Sequence, residues 1–340
     1  MLPSVSVIIA AYNSAATLGA TLSGALTQEY QGDIEIVVVD DGSTDSTAQL
    51  VAGYLEQDLD QRAASGELLR RTVLYQGQQN AGQSTARNRA IEISSGELLA
   101  ICDADDVLLP GYLERAVSML QEADSAATMV ASNAFVLTPN GIAADRPLLR
   151  DNHPRAEQQR LVGIQYNFGS IFMLFPRALV QQLGAFDEQL RSCEDWDLWL
   201  RAIFAGWTIV RQPEPQAIYR WTSASVSSGT DQVYQAEDVV IRKLLASQGE
   251  NMSEAERELA ERRLASGSPL RLISRFEDGL RNGEFDAAKR DLFEASALVS
   301  FQGRLSAKAK IARLPGGIRL LQWRQAKLDA LNGYQQDMAR

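Results

Sequence analysis

The chain has 340 residues, 45% of them hydrophobic and 22% charged, with a formal net charge of −10. That length is long for one core, so two domains are expected, and the acidic balance argues against nucleic-acid binding. One histidine, His153, and two cysteines, Cys102 and Cys193, give no zinc-ligand spacing and leave little for Ser-His or Cys-His nucleophilic chemistry.

No apolar run approaches the ~20 residues that cross a bilayer. The start has neither the basic residues nor the apolar core of a signal peptide, so a cytoplasmic location is expected, where a disulfide is not. Val5 to Ala10 opens the chain as a β-branched strand that ends at Ala11-Tyr12-Asn13-Ser14. A helical segment to about Tyr30 follows, marked by Leu18, Leu22 and Leu26. Ile34 to Val39 is a second strand, stopping at Asp40-Asp41-Gly42-Ser43-Thr44-Asp45, which caps a helix toward Leu55. Such alternation predicts an α/β fold with right-handed crossovers and a mostly parallel sheet.

A polar insertion over 56–71 and a short strand at Val73-Leu74-Tyr75 precede a small-residue loop from Gln79, which enters a helix reaching Ser94. Free N–H groups at that helix start, with Arg87 and Arg89 one turn in, suit a phosphate or a carboxylate. A plain salt bridge from Arg87 to an acidic loop is the alternative.

Leu98 to Asp106 is the most informative stretch, an apolar run of strand length ending in Asp103, Asp105 and Asp106. Crowded carboxylates raise one another's pKa and need solvent, a helix start or a cation. Strand alternation would turn Asp103 and Asp105 to one side, making half of a Mg2+ or Mn2+ site. The other reading is an acidic loop capping the helix near Pro110.

Beyond the Pro110–Glu122 helix, strands are expected at 127–137, 170–175, 208–210 and 217–221, with Asn140-Gly141 as a turn. Residues 143–168 show no period and read as a loop shaping a cleft, with His153 exposed. A helix opens at Cys193-Glu194-Asp195-Trp196, where acidic residues also suit the helix dipole alone. The Ser/Gly-rich stretch from Thr222 to Thr230 reads as a linker.

From about Val233 the pattern is helical throughout, which sets expected domains of 1–228 and 229–340. Residues 302–328 hold seven Lys or Arg and no Asp or Glu. Interleaved Leu305, Ile311, Leu314, Ile318, Leu320, Leu321 and Trp323 suggest a segment lying on an anionic membrane at its inner surface. A basic helix docked on the acidic domain is the alternative.

Five blocks in this order, Val5–Asn13, Val37–Asp45, Asn80-Ala81-Gly82 with Ala86-Arg87-Asn88, Cys102–Asp106 and Glu194-Asp195, resemble a family 2 glycosyltransferase of GT-A fold. The resemblance covers about the first 225 residues and leaves the helical region unassigned. It implies a Rossmann-like domain that moves a sugar, with inversion, from a nucleotide donor, most often a UDP-sugar, to a glycan, lipid-linked or protein acceptor. By the same resemblance Asp41 meets the uracil edge and Tyr12 lies beside the base. Ala10, Asn80, Arg87, Ala104 and Arg220 line the donor, Asp103 and Asp105 hold Mn2+ or Mg2+, and Asp195 takes the acceptor proton.

One departure is Thr222, where many relatives carry a His that completes the metal or diphosphate site. A catalytically silent nucleotide-sugar-binding module is therefore the competing reading. A dinucleotide-binding oxidoreductase is disfavoured, because no G-x-G-x-x-G follows the first strand.

Overall fold

The computed structural model describes residues 2–55, 61–62, 68–143, 147–149, 153–221, 231–299 and 303–337. Thr222 and the stretch to Thr230 lie outside the described residues, as does most of the expected insertion after Leu55.

The first half alternates as its residue pattern demands. β1 (Val5–Ala11), α1 (Leu18–Leu26), β2 (Ile34–Asp40) and α2 (Thr47–Leu55) are followed by the small pair β3 (Gln61–Arg62) and β4 (Leu68–Leu69). Then come β5 (Arg71–Gly77), α3 (Gln83–Ile93), β6 (Leu98–Ile101), β7 (Val107–Leu108) and α4 (Tyr112–Glu122). The β-branched runs in β1 and β2 are buried on both faces, as befits central strands flanked by helices. α1 stops at Leu26, short of the expected Tyr30, and the side chain of Gln28 takes over, donating to the Gly24 and Leu109 carbonyls and accepting from Leu113 N.

Next come β8 (Thr128–Thr138), β9 (Gly141–Ala143), α5 (Gln159–Gln165), β10 (Met173–Pro176), α6 (Ala178–Leu183), α7 (Glu194–Phe204) and β11 (Thr208–Arg220). The main sheet runs β5-β2-β1-β6-β10-β8-β11-β7, with β9 paired to β8. β5, β2, β1 and β6 are mutually parallel; β10 runs against both β6 and β8, and β8 is parallel to β11. The carboxyl ends of β1, β2, β6 and β11 therefore open on one edge, the usual ligand edge of such sheets.

The structure departs from the sequence pattern in three further places. β11 is one strand rather than two, because bulges around Pro213 and Pro215 absorb the residues that cannot donate to the ladder. β7 pairs with β11 through Val107 and Leu108, and α1 lies so close that a Cβ on Gly24 would sit 2.7 Å from the Leu108 carbonyl oxygen. Residues 156–165, expected as loop, are helical.

The chain divides into two compact units. One comprises residues 1–156 and 169–222; the other comprises 157–168 and the chain from 223 on. The second holds α5, α8 (Asp231–Gln248), α9 (Glu254–Ser266), α10 (Pro269–Asn282), α11 (Phe285–Leu298), α12 (Gly303–Arg313) and α13 (Gly317–Asp337). Ser253 caps α9 in a capping box with Glu256, and Ser268 caps α10 ahead of Pro269. Arg263 is buried, ion-paired to Glu237 at 3.1 Å and donating to the carbonyls of Ile164 and Gln165, which ties α5 to α8 and α9. Among the described residues no helix is long and apolar enough to cross a membrane.

His153 is half-buried rather than exposed, its Nε2 donating to the Ile209 carbonyl at 2.7 Å. Burial pushes its pKa down to about 4. The unfolded ring protonates near 6.5, so the stability tied to the neutral ring is whole above that value and is lost as pH falls toward 4. Between those pH values the denaturation midpoint should fall more steeply for the wild type than for His153→Gln; parallel curves would contradict the burial.

Candidate active site

β6 ends at Ile101, and the chain turns so that Asp106 N donates to the Asp103 carbonyl at 3.1 Å. Asp103, Asp105 and Asp106 are thus gathered by a turn, not by strand alternation, and one oxygen of each lies within 4.8 Å of the others. The loop is pinned from two sides. Thr17 and Thr21 of the α1 segment donate to the Ala104 carbonyl, while Arg220 gives its backbone N–H to Asp106 Oδ1 and its Nε to the Asp105 carbonyl. Arg220 thus braces the acidic turn.

Electrostatics make this turn uncomfortable. Burial and then the Asp103 charge raise the Asp105 carboxyl; burial, Asp103 and Asp105 raise Asp106 further. Asp106 Oδ2 is buried and lacks a hydrogen-bond partner. Three hard oxygen donors, one of them orphaned, fit Mg2+ or Mn2+. Asp106 is absent from the expected pair, although its place beside Asp105 was the available signal.

Arg87, on α3, is 1% exposed and spans the site. Its Nη2 donates to Asp103 Oδ1 and its Nη1 to Glu194 Oε1, both at 2.5 Å, and Phe186 packs 5.4 Å from the guanidinium carbon. Arg87 makes the salt bridge that was one of its two readings, both arms ending on protein carboxylates. Gln83 also donates to Asp103 Oδ1, at 3.1 Å, which leaves Oδ2 for a cation. Glu194 begins α7, so this bridge holds the helix that carries Asp195 against the acidic turn. Asp195 itself is partly exposed, its Oδ1 accepting from Trp196 N at 2.7 Å. The preceding Cys193 is held in the left-handed region, φ 61°, at the helix entry.

Asp41 is buried, and its carboxylate collects the loop before α3: Oδ1 accepts from Gln78 Nε2 and Ala81 N, Oδ2 from Gly82 N. The amides at the α3 start thus find a carboxylate within the chain. The β1 and β2 loops interlock too. Asn13, at φ 48°, gives its N–H to Ser43 Oγ and accepts from Thr44 N, while Asp45 accepts from Ala15 and Thr47. Tyr12 stands out from this lattice, 53% exposed, and Asn80 is also exposed. Ala10 lies opposite Val39, one pair before the end of the β1–β2 ladder. Thr222, the departure from the family pattern, lies outside the described residues.

Removing the bridging cation should be costly. Arg87→Met would leave Asp103 and Glu194 crowded without their shared partner, a loss of about 3–5 kcal/mol for a broken buried pair. Arg87→Lys should recover only part, because one ammonium cannot reproduce the two-armed fork. Urea unfolding of both variants measures this, and a loss under about 1 kcal/mol for Met would remove the bridge from its structural role.

Comparison with known proteins places the chain in a family. The model of the family Glycosyl transferase family 2 matches residues 6–183. Among curated relatives, the succinoglycan biosynthesis protein ExoO of Rhizobium meliloti is 32% identical over 66% of this chain and 63% of its own, and ExoU of that organism is 30% identical over 70% and 69%. An uncharacterized glycosyltransferase of Rickettsia prowazekii is 26% identical over 58% of each chain. The chain thus spans about three fifths of the length of the first of these relatives. Among solved structures, S. aureus TarS 1-349 in complex with UDP-GlcNAc superposes with a TM-score of 0.57 at 19% identity, covering 97% of this chain and 92% of that one. The mannosyltransferase PcManGT from Pyrobaculum calidifontis, in complex with GDP-Man and Mn2+, gives 0.57 at 20%, covering 97% and 86%. These likenesses agree on a GT-A fold, and the chain belongs to glycosyl transferase family 2.

Proposed function

We propose that the protein transfers a sugar from a nucleoside-diphosphate donor, a UDP-sugar in the first instance, to a hydroxyl of a glycan, lipid-linked or protein acceptor, with inversion. The observation that carries this reading is the Arg87 bridge, which sets the helix bearing Asp195 beside the three-aspartate turn. Relatives named for succinoglycan biosynthesis, and similarly folded proteins crystallised with UDP-GlcNAc or GDP-Man, support the substrate class.

Asp103, Asp105 and Asp106 would hold Mn2+ or Mg2+, which when bound neutralises charge on the departing diphosphate. The remaining work falls to the chain. Tyr12 offers an exposed ring for the base, and Asp41 would meet the base edge. Ala10, Asn80 and Ala104 border the donor. Arg220 shapes the acidic turn through its Nε and backbone N–H. As the acceptor oxygen bonds to the sugar carbon, the bond to the diphosphate oxygen breaks and Asp195 takes the hydroxyl proton. Asp195 stands in the first turn of α7. No second carboxylate nucleophile is needed for a single displacement. The basic segment 302–328 adds a second partner to this reading, an anionic membrane surface.

Asp195→Asn should lower turnover by about 10²–10⁴-fold, the usual worth of a general base, while UDP with Mn2+ still raises the melting temperature. Asp105→Asn should abolish the part of that rise that needs Mn2+. No turnover by the intact protein across a panel of nucleoside-diphosphate sugars, together with a UDP-dependent melting shift, would instead mark a binding module.

A further inference from the structure

The basic segment folds into two helices with unlike faces. In α12 and α13, Leu305, Ala309, Ala312, Ile318 and Leu321 are buried in one core with Phe276 and Leu292 of α10 and α11. So part of the apolar pattern of 302–328 is spent inside the helical unit. What is left over points outward: Leu314 is 62% exposed, Leu320 54% and Trp323 57%. Leu320, Trp323, Arg324 and Lys327 follow an i, i+3, i+4, i+7 spacing and so share a side of α13, away from buried Ile318, Leu321 and Gln325. Arg319 is exposed next to them, and Lys327 Nζ stands 4.1 Å over the Trp323 ring.

Deepening the membrane reading above, we propose that this side of α13, with Leu314 at the turn before it, is the surface that docks on an anionic bilayer. Charge and composition select that occupant. No Asp or Glu occurs between 302 and 328 in a chain of net charge −10, so the positive field is concentrated on this segment. A second copy meeting it through the same side would bring like charges together. Trp and Leu seated at the headgroup boundary, with Arg and Lys toward the lipid phosphates, satisfy both halves of the surface at once. Lys308 takes no part, being 3.7 Å from Glu277 and over the Phe276 ring.

Co-sedimentation of the full chain with phosphatidylcholine vesicles, with and without phosphatidylglycerol, tests this. Binding is expected only to the anionic vesicles and should weaken with salt. Arg319→Gln/Arg324→Gln/Lys327→Gln should weaken it by about 100-fold, and Leu320→Ser/Trp323→Ser by about ten-fold or more. All five side chains are exposed, and both variants should keep the melting shift with UDP and Mn2+. Absence of wild-type binding to anionic vesicles overturns the membrane reading itself. Wild-type binding that neither variant weakens leaves that reading standing and overturns this docking face. A dimer that Leu320→Ser/Trp323→Ser dissociates, without vesicle binding, assigns the face to a second copy instead.

Discussion

One buried guanidinium joins α3, the acidic turn and the start of α7. Taking Arg87 out of water costs several kcal/mol, and its two short charge-assisted bonds to Asp103 and Glu194 offset that cost only if α3, the β6 end and the start of α7 keep their places. Phe186 over the guanidinium carbon closes the remaining face. The arrangement is stiff because planar forks accept few geometries. Such stiffness would suit the displacement proposed above, in which the groups around one sugar must hold their separation.

A second network does the same for the neighbouring loops by another means. Asp41 organises backbone amides rather than a cation, drawing the 78–82 loop onto the β2 end, while Asn13 and Asp45 lock the β1 and β2 loops together. These are local side-chain acceptors for N–H groups that the sheet and helices leave unpaired. The Tyr12 ring projects from that lattice, 53% exposed, next in sequence to Asn13 at φ 48°.

What the sequence revealed followed physical range. The central strands were legible because β-branched runs buried on both faces look alike in any sheet of this kind, and the acidic turn because three Asp within four residues is a local anomaly. β7 escaped because two residues carry no period, and its existence depends on pairing with Ala217 and Ile218, more than a hundred positions away. Pro213 and Pro215 argued for a break in β11 that bulges bridge instead. The role of Arg87 was open for a similar reason: its chemistry could be read, but its partners Asp103 and Glu194 come from distant segments. Asp106 falls outside the expected pair because strand alternation points it away from Asp103, a direction reversed by the turn that its own N–H and Arg220 hold.

Charge compensation orders the rest. Two buried arginines sit with their counter-charges: Arg87 has Asp103 and Glu194, and Arg263 has Glu237. The acidic turn and α13 differ. At the acidic turn, burial and mutual repulsion raise Asp105 and Asp106, and a buried Asp106 oxygen lacks a partner. On α13 the opposite sign accumulates with exposed Leu and Trp. A chain that could have interspersed these charges, as soluble surfaces ordinarily do, has separated them instead. The imbalance at each place has the sign and chemistry of what would relieve it, a hard divalent cation at the oxygen cluster and an anionic interface at the helix.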